Sequence, residues 1–448
     1  MLATSDQAVL KRDPQLPGLA LLLDTKRMLD VLQLIYPQQH IQGLTSTYLK
    51  YKPQTNCLVG FLADTSSGPM RITAKTLPER EYAKARAKAE KEDAAAQAHG
   101  QHHFLDEWLT MLWAFPMDKK IAGLVDLAHA DRRMVLLQSL LPDQPELWPA
   151  ELETLCYKPE RRFVGRLNLA GKARALIKIY EDDFKNAWKA AQTIDAFPAD
   201  ARLTVSRPLG QSREKRIIIS QWLPGTALRR QLFSADAALD QQQLQAIGTA
   251  LAVFHQQEPG MLAKISREHE ALAVLAAAGA AAFLQPALSQ RLRSLAAELA
   301  AELLVVPAQL CPIHGDFSAD QVLVNGKAIA IIDYDQARLG DPAADFGAFT
   351  AQLIYDEITG RLKSGSAEAI SAHLLQGYCS EGGGKQRPAR TDLYLAVKVL
   401  QLAPQLFRER QPNWADRMEL VLQHAEKNWK AYAKTLPSSV SSAASFAG

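Results

Sequence analysis

The chain has 448 residues, of which 48% are hydrophobic and 22% are charged. These fractions are ordinary for a globular protein and exclude collagen, a long coiled coil and wholesale disorder. The net charge of +3 gives no electrostatic reason to expect nucleic acid as a partner. At roughly 150 residues per domain, the length corresponds to about three structural units.

Cysteine usage and hydropathy indicate a protein of the reducing cytoplasm. The four cysteines form no CxxC pair, so neither a disulfide framework nor a zinc ribbon is predicted. Charged residues precede the short apolar run Leu19–Leu23, which is not the pattern of a signal peptide. The longest apolar run, Ala271–Leu284, is shorter than the roughly 20 residues of a membrane span. We therefore expect a cytoplasmic protein with no membrane partner.

The front of the chain contains a weak internal repeat. The tripeptide Tyr51–Pro53 recurs as Tyr157–Pro159, and a lysine in an apolar segment follows each copy, at Lys75 and at Lys178. Matched features in the same order favour duplication of one small β-sheet unit. Because the first copy has no catalytic loop of its own, we expect it to be a structural cap.

Each copy also contains a predicted helix and a predicted closing strand. The helices are Glu79–Ala98, rich in strong helix formers, and Asp183–Asp195. The apolar segments Val135–Pro142 and Ile217–Pro224 are interpreted as the closing strand and turn of the first and second copies. The front should therefore hold two antiparallel sheets, each with one helix.

Beyond residue 225 the hydrophobic period is mainly helical. Two short strands are predicted there, Gln321–Asn325 and Ala328–Tyr334. The predicted helices are Leu228–Leu232, Asp240–Gln257, Glu268–Leu284, Ser289–Leu304, Asp345–Ile358, Ala367–Cys379, Thr391–Phe407 and Asn413–Ala433. We therefore predict a cap at 1–150, a nucleotide lobe at 151–225, a helical lobe with the catalytic loop at 226–436, and a disordered tail at 437–448.

Two carboxylates beside the short predicted hairpin point to phosphoryl transfer. Asp316 lies a few residues before the first strand, and Asp333 lies near the end of the second. Phosphoryl transfer uses one carboxylate to orient or deprotonate the attacking hydroxyl and another to hold Mg²⁺ against the nucleotide phosphates. Gln321, five residues after Asp316, offers the further oxygen that such a metal site needs.

The spacing of these residues is that of a kinase catalytic loop. His314, Asp316 and Gln321, then Asp333, then Gly340–Pro342, resemble the aminoglycoside phosphotransferase and choline kinase family of small-molecule phosphotransferases. The resemblance covers about residues 151–435. It implies an α+β, bilobal, protein-kinase-like fold, with a small antiparallel β lobe, a large helical lobe, and here an N-terminal β-rich cap that partly repeats the small lobe.

The resemblance also implies a role for each matching position, with ATP and Mg²⁺ as cofactors. Asp316 would be the catalytic base, with Asp320 and Asp335 as competitors for contact with substrate or metal. Gln321 and Asp333 would bind the metal ion.

The nucleotide would be held by two further elements. Lys178 would contact the α- and β-phosphates, and the backbone of the hinge residues Gln221, Trp222 and Leu223 would hydrogen-bond the adenine. His255 matches a histidine common at that place in the family, and it is expected to pack under the catalytic loop. His314 is likewise expected to be structural.

Three departures qualify the resemblance. Gln321 stands where the family usually has Asn, which brings the pattern closer to the maltokinase and glucosamine kinase branch, where a cap also precedes the nucleotide lobe. No GxGxxG lies between Tyr157 and Lys178. The helix after Lys178 has no well-placed acidic partner, so Glu181 or an acid from the cap would substitute.

The acceptor is expected to be a sugar or an amino sugar. From residue 348 onward, basic residues are at least as numerous as acidic ones, which disfavours a polycationic acceptor. An ATP-dependent small-molecule kinase is therefore the favoured function. The alternatives are a catalytically silent kinase-like binding protein and an aminoglycoside or amino-alcohol kinase.

Overall fold

The computed structural model describes residues 2–95, 102–234, 240–307, 309–380 and 390–436. The fold is α+β, as expected, and divides into two compact units. The first unit contains residues 1–184 and 209–220, and the second contains 185–208 and 221–448. The predicted domain boundaries stay a prediction, and the predicted tail lies outside the described residues. Within the described ranges, no helix is long and apolar enough to cross a membrane.

The first unit contains two five-stranded sheets of the same strand order. The first sheet has the order β1-β2-β3-β5-β4 and the second has the order β10-β11-β8-β7-β6. In both, three consecutive antiparallel strands are followed in sequence by a helix and then by two more strands. The strands are β1 Gly43–Lys52, β2 Asn56–Thr65, β3 Gly68–Thr76, β4 His102–Leu105, β5 Thr110–Ala114, β6 Glu151–Lys158, β7 Arg162–Leu169, β8 Lys172–Tyr180, β10 Pro208–Ser212 and β11 Ile217–Gln221. The predicted duplication of a β-sheet unit is confirmed.

The duplication extends to helices that precede each sheet, which the sequence analysis did not recognise. Helices of five and eleven residues recur at a spacing of 105 residues, with the same lengths in both copies. They are α2 Leu19–Leu23 and α3 Thr25–Ile35 in the first copy, preceded by α1 Thr4–Arg12, and α5 Leu124–Ala128 and α6 Ala130–Leu140 in the second; α4 Glu79–Ala95 follows β3. Leu124, Leu137 and Leu140 share one buried core with Phe163 and Ile177 of the second sheet.

The interpretation of Val135–Pro142 as a closing strand is wrong. Residues 130–140 form α6, and the strand that closes the first copy is β5. The buried residues Leu136, Leu137 and Leu140 recur at helical spacing, whereas Val135 is exposed. A helix therefore buries this apolar run on one side.

A buried aspartate anchors the start of the repeated tripeptide in each copy. The Tyr51 hydroxyl donates to Asp13 at 2.7 Å, and the Tyr157 hydroxyl donates to Asp118 at 2.9 Å. Three residues after each tyrosine, a backbone N–H donates to the same carboxylate oxygen, at 2.8 Å and 2.7 Å respectively. A buried carboxylate needs such donors, so the pair Asp–Tyr fixes the turn between the first two strands of each sheet.

The second unit is mainly helical. Its helices are α7 Phe184–Asp195, which begins at the boundary, α8 Leu228–Leu232, α9 Gln241–His255, α10 Arg267–Leu284, α11 Ser289–Val305, α12 Ala343–Ile358, α13 Ser366–Ser380, α14 Thr391–Leu402, α15 Gln405–Arg408 and α16 Trp414–Ala433. The helix predicted over 391–407 is interrupted at Pro404, because proline has no N–H to continue the hydrogen-bond ladder.

Short strands in this unit frame the catalytic loops. A four-stranded sheet has the order β12-β14-β15-β9, and β13 pairs with β16. The strands are β9 Thr204–Val205, β12 Thr226–Ala227, β13 Cys311–Ile313, β14 Val322–Asn325, β15 Ala328–Ile331 and β16 Arg338–Gly340. The two predicted strands correspond to β14 and β15. The others are too short to show a strand period in the sequence.

Candidate functional site

Two antiparallel strand pairs bring the predicted catalytic loops side by side. The end of β13 pairs with the start of β16, in the register Ile313↔Arg338. The start of β14 pairs with the end of β15, in the register Val322↔Ile331. The loops 314–321 and 332–337 therefore leave the strands at the same end. Asp316 lies on the first loop with an exposed side chain, whereas Asp333 on the second is partly buried.

Hydrogen bonds tie one loop to the other. The Ile332 N–H donates to the Gln321 carbonyl at 2.9 Å. The imidazole of His314 makes a 2.9 Å bond through Nε2 to the Ile332 carbonyl, which can only accept, so Nε2 is the protonated nitrogen. His314 is fully buried, so it links the loops from below, which agrees with its expected structural role.

Gly315 is required by backbone conformation and by space. Its φ of +82° is in the left-handed region that favours glycine. A Cβ at this position would lie 2.4 Å from the Gln336 carbonyl oxygen on the neighbouring loop. A larger residue would therefore separate the two loops.

A buried carboxylate at the start of α12 holds the backbone before Asp316. Asp345 accepts the N–H of His314 at 2.7 Å and that of Gly315 at 2.8 Å. It also accepts Nε2–H of His255 at 3.0 Å, whose Nδ1 lies 3.0 Å from the Tyr378 hydroxyl. Burial would raise the pKa of Asp345, but the hydrogen bond from His255 and the nearby charges outweigh it and lower the pKa. His255 thus lies under the catalytic loop, as expected.

Close helix packing places Tyr378 beside His255. The helices α9 and α13 approach closely where each has a glycine, at Gly248 and Gly377. A Cβ on either glycine would lie under 2 Å from a carbonyl oxygen of the opposite helix, so neither position accepts a larger residue. The glycine pair therefore sets the helix spacing on which the His255–Tyr378 contact depends.

The donor chemistry where the two loops meet fits a magnesium ion. Gln321 offers an amide oxygen and Asp333 a carboxylate, and the hydrogen bond between Ile332 and Gln321 holds their backbones together. No cluster of three or more His, Cys, Asp or Glu residues that could hold a metal occurs in the part of the chain that the structure describes. Mg²⁺ commonly uses only one or two protein ligands and completes its shell with phosphate oxygens and waters.

The first unit contains the predicted phosphate lysine. Lys178 lies within β8, opposite Val164 of β7, and is 8% exposed between the fully buried Ile177 and Ile179. This placement on a strand of the second sheet is the expected one. Its contact with phosphate stays a prediction.

The hinge residues lie at the end of β11, with Gln221 as its last residue and Trp222 and Leu223 directly after it. Both backbone groups of Gln221 are engaged within the second unit, since its N–H donates to Arg207 at 2.8 Å and its carbonyl accepts Ser206 Oγ at 2.6 Å. The Gln221 N–H is therefore not available for the expected backbone hydrogen bond to adenine, whereas the Gln221 side chain is exposed. Trp222 is partly buried and Leu223 is buried, and their adenine contact stays a prediction.

The lysine of the first copy has a structural partner. Lys75 donates to both carboxylate oxygens of Glu160, at 2.8 Å and 2.9 Å, in the turn between β6 and β7. Both side chains are 14% exposed, and Lys120 reaches the same carboxylate at 3.2 Å. The lysine that corresponds to Lys178 thus joins one copy to the other, which supports the interpretation of the first copy as a structural cap.

The sequence analysis missed two basic residues near Asp316. Arg338 Nη2 approaches the Gly315 carbonyl at 3.4 Å. Lys398, on α14, is close enough to Arg338 and Asp316 to interact with both charges; burial and then Arg338 lower the pKa of this lysine, while Asp316 opposes the shift. A lysine between the buried Val397 and Val399 was the available signal, whereas nothing in the sequence marked Arg338.

Comparison with known proteins gave a family match. Residues 166–380 match the model of the phosphotransferase enzyme family. The comparison with curated proteins gave no match.

Several solved structures are similar to the chain. A choline/ethanolamine kinase family protein from Mesorhizobium loti is 15% identical, with 68% of this chain and 96% of that one covered and a TM-score of 0.46. A choline kinase from Cryptosporidium parvum is 9% identical, with coverages of 68% and 97% and a TM-score of 0.47. An aminoglycoside 2′-phosphotransferase-IIIa mutant in complex with GDP is 15% identical, with coverages of 68% and 100% and a TM-score of 0.47. Because these identities and TM-scores are low, the similarity to the phosphotransferase enzyme family rests on the match of residues 166–380.

Proposed function

Because residues 166–380 match the model of the phosphotransferase enzyme family, we propose that the protein transfers the γ-phosphoryl group of ATP to a hydroxyl group of a sugar or an amino sugar. The observation that carries this proposal is the pair of adjacent loops. One loop exposes Asp316, and the other holds Asp333 beside the backbone of Gln321. Phosphoryl transfer requires two such carboxylates, one to orient the attacking hydroxyl and another to hold the metal ion.

Asp316 is proposed to orient the acceptor hydroxyl and to take its proton. The hydroxyl oxygen then forms a bond to the γ-phosphorus while the bond from that phosphorus to the ADP oxygen breaks. The positions of the His314 and Gly315 amides, fixed by Asp345, determine where Asp316 is held. Such positioning is a large part of catalysis in phosphoryl transfer. It holds the reacting groups in the right geometry, so that a bimolecular step becomes effectively unimolecular.

The nucleotide phosphates are proposed to be held by three side chains. Gln321 and Asp333 would hold Mg²⁺, which when bound neutralises charge on the phosphates. Lys178 would contact the α- and β-phosphates, and Trp222 and Leu223 would border the adenine. The role of Lys178 is supported by its place within β8, where it is 8% exposed.

Arg338, near Asp316, favours a neutral or singly charged acceptor. A polycationic aminoglycoside would bring several amines towards the Arg338 guanidinium, and like charges in a partly desolvated site repel one another. A sugar hydroxyl has no such cost. The aminoglycoside alternative is therefore the less supported one.

The cytoplasm is the proposed location. All four cysteines are free, which is the usual state of thiols in a reducing compartment.

The test is a screen for acceptor-dependent ADP release with sugars, amino sugars, amino alcohols and aminoglycosides. Turnover with a sugar or an amino sugar, abolished in Asp333→Asn protein of unchanged thermal stability, would support the proposal. Turnover confined to aminoglycosides or amino alcohols would overturn the acceptor class. Nucleotide binding without turnover of any acceptor would instead favour the silent binding protein.

A further inference from the structure

Arg229 joins the loop that carries Gln321 to the helical core. Its Nη1 donates to Asp320 at 2.6 Å, and its Nη2 donates to Asp356 at 2.9 Å. Asp320 directly precedes Gln321 and is half exposed, whereas the Asp356 side chain is 1% exposed on α12. One guanidinium therefore connects a surface carboxylate of the catalytic loop to a buried carboxylate of the core.

The buried end of this connection is firmly held. Asp356 also accepts a hydrogen bond from Gln352 at 3.3 Å and forms an ion pair with Arg361 at 3.3 Å. The Arg229 guanidinium lies 4.9 Å from the centre of the Phe233 ring, a cation–π contact that further restricts it. Arg229 is thus a rigid anchor for Asp320.

The start of α8 is also fixed against the catalytic hairpin. The two residues of β12, just before α8, pair with β14 in the registers Thr226↔Val324 and Ala227↔Leu323. Arg229 follows β12 by two residues, and β14 begins immediately after Gln321. The pairing of β12 with β14 therefore fixes where α8, which carries Arg229, begins. The main chain of Gln321 is held on its other side by the Ile332 N–H at 2.9 Å.

We propose that Arg229 is a positioning residue for the metal ligand Gln321, which it places by tethering the adjacent Asp320 to Asp356. The proposal rests on the proposed function, in which Gln321 binds a divalent cation. Glutamine has one more rotatable bond than asparagine, so more side-chain entropy is lost when its oxygen is fixed. When the Gln321 backbone is held in place, the conformational freedom that metal binding must still remove is confined to the Gln321 side chain.

The test measures binding of Mn²⁺ to the protein in the presence of the non-hydrolysable nucleotide AMP-PNP, by electron paramagnetic resonance. Removing a group that orients a metal ligand commonly weakens metal binding by about 10–100-fold. We expect Arg229→Gln and Asp320→Asn each to weaken Mn²⁺ binding by about tenfold. The Mn²⁺ affinity of Arg229→Lys should lie between those of the wild type and Arg229→Gln. Asp320→Asn is the variant least at risk of unfolding, because Arg229 then keeps its buried partner.

Two controls separate positioning from other roles. Arg361→Gln disturbs the same buried Asp356 without touching Asp320, so its Mn²⁺ affinity should stay within about twofold of the wild type. In the Asp320→Asn background, Arg229→Gln should have no further effect, because the two residues act through one contact.

Three outcomes would overturn the inference. They are unchanged Mn²⁺ affinity in Arg229→Gln, equal weakening in Arg361→Gln, and additive losses in the double variant, which would mean that Asp320 acts independently of Arg229. Failure of the wild type to bind Mn²⁺ with AMP-PNP would overturn the proposed function itself, and the inference with it.

Discussion

At the scale of single residues, Asp316 and Asp345 divide the work of the catalytic loop. The exposed Asp316 is available to an acceptor, and the fully buried Asp345 supplies no chemistry to a substrate. Asp345 instead satisfies two backbone N–H groups of the loop and the His255 imidazole. The carboxylate proposed to react and the carboxylate that holds the loop are thus on different elements.

Asp316→Asn should reduce turnover by about 10²–10⁴-fold, the usual contribution of a general base. Nucleotide affinity should hardly change, because Asp316 is proposed to touch the acceptor and not the adenosine. Steady-state kinetics with an active acceptor, together with nucleotide titration, measure both quantities. Asp335→Asn is the matched control, and a larger loss in that variant would mean that Asp316 is not the base.

Asp345 should contribute to stability in a pH-dependent way. Its pKa in the folded protein is below the ordinary value of about 3.9, so the unfolded state binds more protons in that window. The contribution is therefore present above the ordinary pKa and is lost as the pH falls through the folded one.

Asp345→Asn should accordingly unfold at lower urea concentration at neutral pH and lose less stability between about pH 5 and pH 3 than the wild type. Urea unfolding at several pH values measures the two slopes. Parallel slopes in wild type and variant would show that Asp345 does not titrate differently in the folded state.

Motif spacing was enough to place Asp316, Gln321 and Asp333 on adjacent loops, because the residues that pair β14 with β15 are close in sequence. The partners of Arg229 and Lys398 could not be predicted in this way. Arg229 and Asp356 are 127 positions apart, and only the packing of the helical unit brings them together. Roles that depend on such distant contacts leave no local pattern.

At the scale of elements, the repeated aspartate–tyrosine bond is the strongest sign that the two sheets are built alike. The sequence analysis recognised the tyrosines but not their partners, since Asp13 and Asp118 precede them by 38 and 39 residues. It also assigned Val135–Pro142 to a strand, although the helix α3 at the corresponding place in the first copy shares its length with α6. A continuous apolar run does not by itself distinguish a helix from a strand.

Tyr51→Phe and Tyr157→Phe should each reduce the free energy of unfolding by about 1–3 kcal/mol, because a buried carboxylate loses one of its donors. Similar losses are expected in both copies, since the Asp side chains are 1% and 5% exposed. Urea unfolding measures both, and Tyr48→Phe, on the same strand as Tyr51 and partly exposed, is the control. A loss in only one copy would argue against equivalent anchors.

At the scale of the whole molecule, the two copies of the sheet place a lysine differently. The second copy holds Lys178 within β8, and the proposed function assigns this lysine to the nucleotide phosphates. The first copy uses the corresponding Lys75 for an ion pair with Glu160 of the second copy. The first copy of the sheet thus makes a structural contact with the second copy through this ion pair.

Lys178→Met and Lys75→Met form a matched pair that tests this division. Lys178→Met should lower turnover and nucleotide affinity, whereas Lys75→Met should leave both unchanged. Lys75→Met should lower the unfolding midpoint instead, because Glu160 loses its closer partner and keeps the more distant Lys120. Nucleotide titration and thermal unfolding of both variants decide the matter, and a loss of nucleotide affinity in Lys75→Met would point to a second nucleotide site.

The tandem sheets also have a consequence for biosynthesis. Neighbouring modules of one topology are prone to misassembly, because a strand of one copy can pair with the unfinished sheet of the other. A spacing of about 105 residues means that, at 5–20 residues per second, the ribosome completes the first module roughly 5–20 s before the second. The first sheet can therefore close before its competitor exists, and rapid refolding of the full chain from denaturant removes that protection.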